Sequence, residues 1–544
     1  MANKSLLTIF TVFLFGANIA VSTEGTPRVL ILGAGMSGIA AAKTLADSGV
    51  DDFLILEGDS DIGGRVKSTS FGGQLIELGA NWVHFGNSSD NPIWQLKEKY
   101  NIRGKHSDYD DVIVLDNAGN NFTHIADDYW EMWEFAGEYI DEYLLDDMLL
   151  GRTPDMSVRA GRKLGGWTPR NAVQKVVEYF EHDAEFADPP DVSSLRSTSA
   201  NSDELVSGGG DYFITDQRGF GTIIKEMANE FLSEGDERLK LGHLVSRIEW
   251  SDDNVTVTTS DDQVFTADFA LCTFSIGVLE NDVVEFVPEL PLWKTEEIYQ
   301  FRMAWFTKIF LQFPADSERF WPEEEWMLVA DDRRGYYPVW GNLGAPGLLP
   351  NEANILFVMV TGEESRRVEY QSDEETKVEI MSVLRNMFGD DIPDASDILV
   401  SKWGIDPLHY GSYSNWPVEV SMESFVRLQA PVGKLYFAGE ATHERYNGYL
   451  QGALLTGQDR ADDILRCMDG SCYEHEIKRK KLGCTYQQAT NYDDAATIDD
   501  GSCIFNLLFL SSGATCLKKG VYPGPLAPAT TDSFFFVCAA TYVS

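Results

Sequence analysis

The stretch RVLILGAGMSGIAAAKTLADSGVDDFLILEGDSDIGGR, Arg28 to Arg65, constrains the fold more than any other part of the chain. RVLILG is a short apolar run rich in β-formers, GAGMSG supplies Gly33, Gly35 and Gly38, and IAAAKTLADSG has a helical pattern with a glycine stop at Gly49. FLIL reads as a second buried strand ending in Glu57, 19 residues after Gly38. Strand, tight turn, helix and strand in this register open a dinucleotide-binding unit. Gly33 permits the turn, Gly35 lets the backbone approach a pyrophosphate, and Gly38 brings the helix against the strand. The helix start, with Ser37 in its first turn, turns free N–H groups toward the anion. Glu57 is placed to accept hydrogen bonds from ribose hydroxyls. NAD and FAD both remain open on these residues alone.

At 544 residues and 44% apolar, the chain can bury a large core and is long enough for more than one domain. A net charge of −43 argues against nucleic acid or anionic lipid as a partner, because their phosphates would be repelled over most of the surface. Solubility and attraction of a cationic ligand both fit that charge. The first residues read as a targeting segment: Lys4 precedes the apolar run LLTIFTVFLFGANIAVS, and Ala20-Val21-Ser22 offers small residues for cleavage near Thr23. Residues 1–22 are therefore expected to be a secretory signal peptide, with an uncleaved anchor as the competing reading. No other stretch is apolar and long enough to span a bilayer, so no stable membrane insertion is expected after cleavage. Asn87, Asn121 and Asn254 head NSS, NFT and NVT glycosylation triplets.

Cysteine use divides the chain. Only Cys272 precedes Cys467, whereas Cys467, Cys472, Cys484, Cys503, Cys516 and Cys538 crowd the end. The body is expected to hold by core packing, and residues 470–544 to form a small disulfide-stapled tail in an oxidising compartment, extracellular or in the lumen of the secretory pathway. Zinc is the competing reading for the tail, although no His stands at ligand spacing.

Downstream of the second strand, GDSDIGGRV places Gly63, Gly64 and Arg65 where a glycine pair and a fixed cation can meet remaining phosphate charge. ELGANWVH, Glu77 to His84, follows, and LYFAGEATHERYNGYLQGALLTGQDRADDIL, from Leu435, reads as strand, glycine turn, irregular stretch and helix beginning near Gly448. Together these segments resemble the flavin amine oxidase family. Further segments, EFADPPDVSSL at Glu185, DQRGFGTIIKEMA at Asp216, YQFRMAWFTKIFLQFP at Tyr299, RRGYYPVW at Arg333, EESRRVEYQSDEET at Glu363, YSNWPV at Tyr413 and ERYNGYLQGA at Glu444, resemble its secreted plant-type polyamine oxidases, over roughly Arg28 to Cys467. The resemblance implies FAD as cofactor and an α/β (α+β) fold in two domains. A Rossmann-like FAD-binding domain from 28–90, 212–291 and 430–466 would be interwoven with a mixed-sheet substrate domain from 91–211 and 292–429. It implies cofactor contacts at Gly33, Gly35, Ser37, Gly38, Glu57, Gly64, Arg65, Gly79, Ala80, Val245, Glu440 and Tyr449. The last helix would direct its positive end to the flavin ring.

Lys308 lies in AWFTKIFLQF, an alternating strand on which Phe306, Lys308 and Phe310 share one face. A lysine among aromatics is costly unless its ammonium is paired or used. A buried ion pair is one reading; the resemblance implies instead that Lys308 holds a water against flavin N5. Tyr413 and Tyr449 match aromatics that flank the substrate nitrogen, where their faces attract a cation and an apolar site favours its neutral, oxidisable form. Glu185 matches a tunnel acid that pairs with a distant amino group. Ala184 and Phe306 depart from the aromatic residues of close plant relatives. His84, at a position that varies between Glu and His, is expected to be neutral or partly charged at the tunnel mouth.

The activity implied is oxidation of spermine, spermidine or acetylated derivatives: hydride passes from the carbon beside a secondary amine to flavin N5, the imine hydrolyses to aldehyde and amine, and oxygen is reduced to hydrogen peroxide. The cofactor carries the hard step, so no metal site is expected. An L-amino-acid oxidase, or a secreted flavin-domain protein without activity, would share the flavin motifs. The oligomeric state is open. In the tail, KRKK at Lys478 precedes GCTYQQATNYDDAATIDDGSC, 483–503, which resembles a short Cys-flanked extracellular repeat. Cys484 and Cys503 are expected to be bridged around it, and Asp493, Asp494, Asp499 and Asp500 read equally as calcium ligands or as a solvated loop.

Overall fold

The structure, a computed structural model, describes residues 27–86, 91–149, 152–199, 210–349, 353–472 and the positions 482–483, 490 and 498–499. The leader, Asn87 and the expected Cys484–Cys503 bridge lie outside the described residues. Two units divide at Tyr473 and Glu474. Of the second, only a short parallel pairing of Leu482–Gly483 with Ile498–Asp499 is described.

The apolar runs of the opening motif become the middle of a five-stranded sheet. Its order is Leu435–Phe437, Phe269–Cys272, Val29–Leu32, Phe53–Leu56 and Leu239–Lys240, and every pairing is parallel. Val29–Leu32 is buried along its whole length, as a strand covered on both faces must be. One face carries the helices Met36–Asp47, Thr222–Asn229 and Leu450–Met468, which share a core around Ile39, Leu45, Ile223 and Leu454. The other packs through Leu30, Leu32 and Phe437 onto a second sheet ordered Val264–Ala267, Val255–Thr259, Val245–Trp250, Glu285–Val287.

Residues 112–400 supply a six-stranded sheet ordered Asp397–Val400, Phe306–Gln312, Ile355–Thr361, Val339–Asn342, Trp326–Ala330 and Val112–Asp116. All its pairings are antiparallel except the last. Phe306–Gln312 alternates as its sequence requires: Phe306 and Phe310 enter one apolar cluster, Ile309 and Leu311 the opposite one. Lys308 falls on the side of Phe306 and Phe310.

A three-stranded sheet decides where the polar chemistry meets. Trp82–Val83 pairs antiparallel with Tyr212–Ile214, Val83 opposite Tyr212, so His84 and Asp211 leave the pairing side by side. The last helix of the first unit ends at Met468, and Cys467 in its final turn is bonded to Cys472, so the first tail cysteine belongs to this unit. No helix among the described residues is long and apolar enough to cross a membrane.

Candidate active site

The cradle is built as the glycine spacing requires. Gly33 holds φ +107, and a Cβ on Gly38 would lie 1.9 Å from the Gly33 carbonyl oxygen. Only glycine lets helix and turn approach so closely. A Cβ on Gly35 would meet no protein atom, so the room there is for a ligand. The helix that follows has no side-chain cap and no acid in its first turn, leaving N–H groups free. Ser37 Oγ is buried without a partner. Glu57 accepts from the amides of Ala34 at 2.6 Å and Asp59 at 2.8 Å, which fixes its carboxylate at the cavity wall.

A second close approach lies at Gly79, where a Cβ would sit 1.8 Å from the Arg65 carbonyl oxygen, and the Ala80 amide donates to that oxygen at 3.1 Å. Arg65 and Glu440, assigned one by one to the cofactor, are paired with each other: Nη1 meets Oε1 at 2.8 Å. Glu440 also accepts from Ser414 Oγ and, at 2.9 Å, from the Gly448 amide. The carboxylate thus holds Arg65 and the entry of the last helix, whose own N-terminus is uncapped at Tyr449.

These groups and the residues expected to meet the substrate line one cavity of about 760 Å³, running from Gly33, Glu57 and Val245 to Lys308, Glu185 and Trp326. Lys308 Nζ donates to Gly79 O at 2.7 Å and lies 3.4 Å from both Glu77 O and Asn81 Oδ1. No carboxylate among the described residues is within ion-pair distance of it, so the buried ion pair is not formed. Loss of hydration, only partly offset by the charge of Glu77, brings Lys308 down to about 7. The lowered value brings the neutral amine within reach near neutrality, and a neutral amine can both donate to Gly79 and accept from a water.

Glu185 follows a buried π-turn, Tyr179–Asp183, in which Arg334 binds Asp183 with both guanidinium branches and Arg159 binds Glu178. From this anchored turn the Glu185 carboxylate accepts from Tyr449 Oη at 2.5 Å, while Tyr413 Oη donates to the Glu185 carbonyl at 2.8 Å. Both tyrosines are therefore oriented by Glu185. Their rings do not stack on each other; Tyr449 packs edgewise on His84 and Phe85, and Tyr413 packs against Phe306.

His84 differs from the sequence expectation of a neutral or partly charged ring. Its Nδ1 stands 3.3 Å from Asp211 Oδ1, and the charges of Asp211 and Glu185 outweigh burial, so its pKa rises to about 9. The imidazole is charged at neutral pH, with Asp211 held low by it and Glu185 pushed up by burial. Asp211 escaped the sequence reading because its place depends on the pairing of Val83 with Tyr212. So did Tyr109, which donates to Asp211 at 3.0 Å and stacks on Trp326, and Trp82, whose ring lies 5.1 Å from Lys308 Nζ. The neighbouring acid and aromatic in DYF, Asp211 to Phe213, were the one available signal.

The family described as flavin containing amine oxidoreductase matches residues 36–465. Polyamine oxidase 1 of Zea mays is 42% identical over 472 residues, 84% of this chain and 93% of the relative. Polyamine oxidase 6 of Oryza sativa subsp. japonica is 41% identical over 85% of this chain and 95% of its own. Among solved structures, wild-type putrescine oxidase bound to putrescine superposes with a TM-score of 0.64 at 17% identity, covering 81% of this chain and 99% of that one, and shares the fold. The cofactor is FAD, and the chain belongs to the flavin-containing amine oxidoreductase family.

Proposed function

We propose that this protein is an FAD-dependent polyamine oxidase acting at a secondary amine, with oxygen as the electron acceptor. The observation that carries this reading is the single cavity joining a dinucleotide cradle to a pocket of carboxylates and aromatic rings. Bound there, FAD supplies the hydride acceptor for the carbon beside the amine nitrogen. The chain supplies binding, orientation and protonation state. Tyr413 and Tyr449 present π-faces to the amine, the apolar walls favour its neutral form, and Glu185 pairs with an ammonium elsewhere on the same molecule. Lys308, its pKa lowered to about 7 by burial, is suited to hold a water at the reacting end.

An amino-acid substrate fits less well, since a cation is needed for its carboxylate. Of the cavity's cations, Arg65 is engaged by Glu440 and His84 by Asp211, and Lys308 is bound to the Gly79 carbonyl. The apolar run before Thr23 and the cysteine-crowded tail support passage through the secretory pathway, with disulfides formed on the way. The test is anaerobic addition of spermine or spermidine to the yellow protein, with product identification after oxygen returns. Bleaching of the flavin followed by aminoaldehyde, amine and peroxide is expected; a flavin that stays oxidised overturns the proposal.

A further inference from the structure

The geometry points to a divalent transition-metal site at His84, Asp211 and Glu185, where a zinc-like ion and a polyamine ammonium exclude one another. The exclusion rests on the function proposed above; the site itself does not. One ligand atom from each of the three side chains lies within 4.8 Å of the other two. Two ligands about 2.0–2.2 Å from one ion are about 2.8–3.1 Å apart at octahedral angles and about 3.3–3.6 Å apart at the tetrahedral angle. His84 Nδ1 and Asp211 Oδ1, at 3.3 Å, already have that separation. Glu185 supplies the third ligand atom, within 4.8 Å of the other two.

Outer partners hold two of these ligands in place. Tyr109 donates to Asp211 Oδ2 at 3.0 Å and Tyr449 to Glu185 Oε1 at 2.5 Å. Hydroxyl donors behind ligating carboxylates are the usual support of a metal site. The donor chemistry selects the ion: one imidazole with two carboxylates suits zinc and its first-row neighbours, whereas calcium and magnesium want six or more oxygens. The charge also matches, because two carboxylates and a neutral imidazole carry −2. On binding, any proton on the ligating nitrogen of His84 leaves to solvent, since a ligating imidazole is neutral. Since Glu185 also serves the substrate's ammonium, the ion acts as a competitor rather than a cofactor.

The test uses the flavin-loaded full chain. Equilibrium dialysis against zinc chloride measures bound zinc in the wild type, in His84→Gln and in Asp211→Asn, with flavin spectra and melting curves establishing that each is folded. Zinc held by tail cysteines is common to all three and cancels in the difference. One equivalent should be lost in each variant, or its affinity weakened by about 100-fold or more. Magnesium chloride should displace none of it. In turnover with spermine, zinc should raise the apparent KM of the wild type at constant kcat, and this effect should fade in His84→Gln. Equal zinc stoichiometry and affinity in all three proteins overturns the site. Loss of the equivalent together with inhibition that lowers kcat alone overturns the competition with substrate. A protein that binds the extra zinc yet oxidises no polyamine leaves the site standing and refutes the proposed function.

Discussion

Replacing Lys308 by methionine tests the environment of the cavity more sharply than any other substitution, because two effects oppose each other and their balance changes with pH. The side chain is 3% exposed, and its ammonium is bound to Gly79 O without a paired carboxylate. A folded pKa near 7 against 10.5 unfolded means that the unfolded chain binds the proton more tightly, so stability rises with pH between about 7 and 10.5. Below that window, keeping the buried ammonium costs the wild type about 5 kcal/mol. Methionine removes the cost and keeps the bulk, but it leaves the Gly79 carbonyl unpaired, a loss of about 1–3 kcal/mol. The variant should therefore melt above the wild type near pH 6, by the equivalent of about 2–4 kcal/mol, and at or below it near pH 10. Melting curves of both proteins across that range read the crossing directly. Destabilisation by a constant amount at every pH would refute the reasoning, since that is the signature of a broken buried ion pair. Stopped-flow measurement of flavin reduction and reoxidation completes the assay: loss of a positioned polar group should slow one of them by about 10²–10³. Unchanged rates would remove Lys308 from the chemistry, whatever the melting curves show.

Three further outcomes are expected. Gly38→Ala should abolish FAD retention, read as loss of the yellow spectrum, because its Cβ would lie 1.9 Å from a backbone oxygen. Glu57→Ala should weaken retention by about 1.5–3 kcal/mol as charge-assisted hydrogen bonds are lost, read by dialysis of bound flavin. Truncation after Cys472, which preserves the Cys467 bond, should leave flavin content and turnover largely intact, whereas a folded but inactive product would place the second unit in the catalytic machinery.

The legible part of the fold was the part whose physics is local. A turn that must accept φ +107 at Gly33 and a helix that must touch Gly33 O at Gly38 leave a glycine signature that needs no knowledge of the rest of the chain. The alternation of Phe306, Lys308 and Phe310 is likewise a property of one strand. What the sequence hid are meetings between distant segments. Arg65 and Glu440, each recognisable alone, form a single ion pair, and Tyr413 and Tyr449 are both aimed by one residue, Glu185. His84 shows the cost of reading a residue alone: an isolated imidazole titrates near neutrality, but the strand pairing that sets Asp211 beside it carries its pKa to about 9.

This pairing also fixes what charge the pocket offers a substrate. Arg65 is neutralised by Glu440 and His84 by Asp211, while burial lowers Lys308 to about 7. Glu181 and Glu185, both lining the cavity, have no cationic partner at ion-pair distance among the described residues, and of the two it is Glu185 that both tyrosines contact. It is held only by a phenol, and burial has already raised its pKa. An arriving ammonium offsets the lost hydration of that carboxylate with an opposite charge while the tyrosine and tryptophan faces around it stay uncharged, so recognition should centre on one cation placed away from the reacting nitrogen. A chain with net charge −43 attracts polycations, and the cavity is expected to sort them by where a charge sits along the molecule.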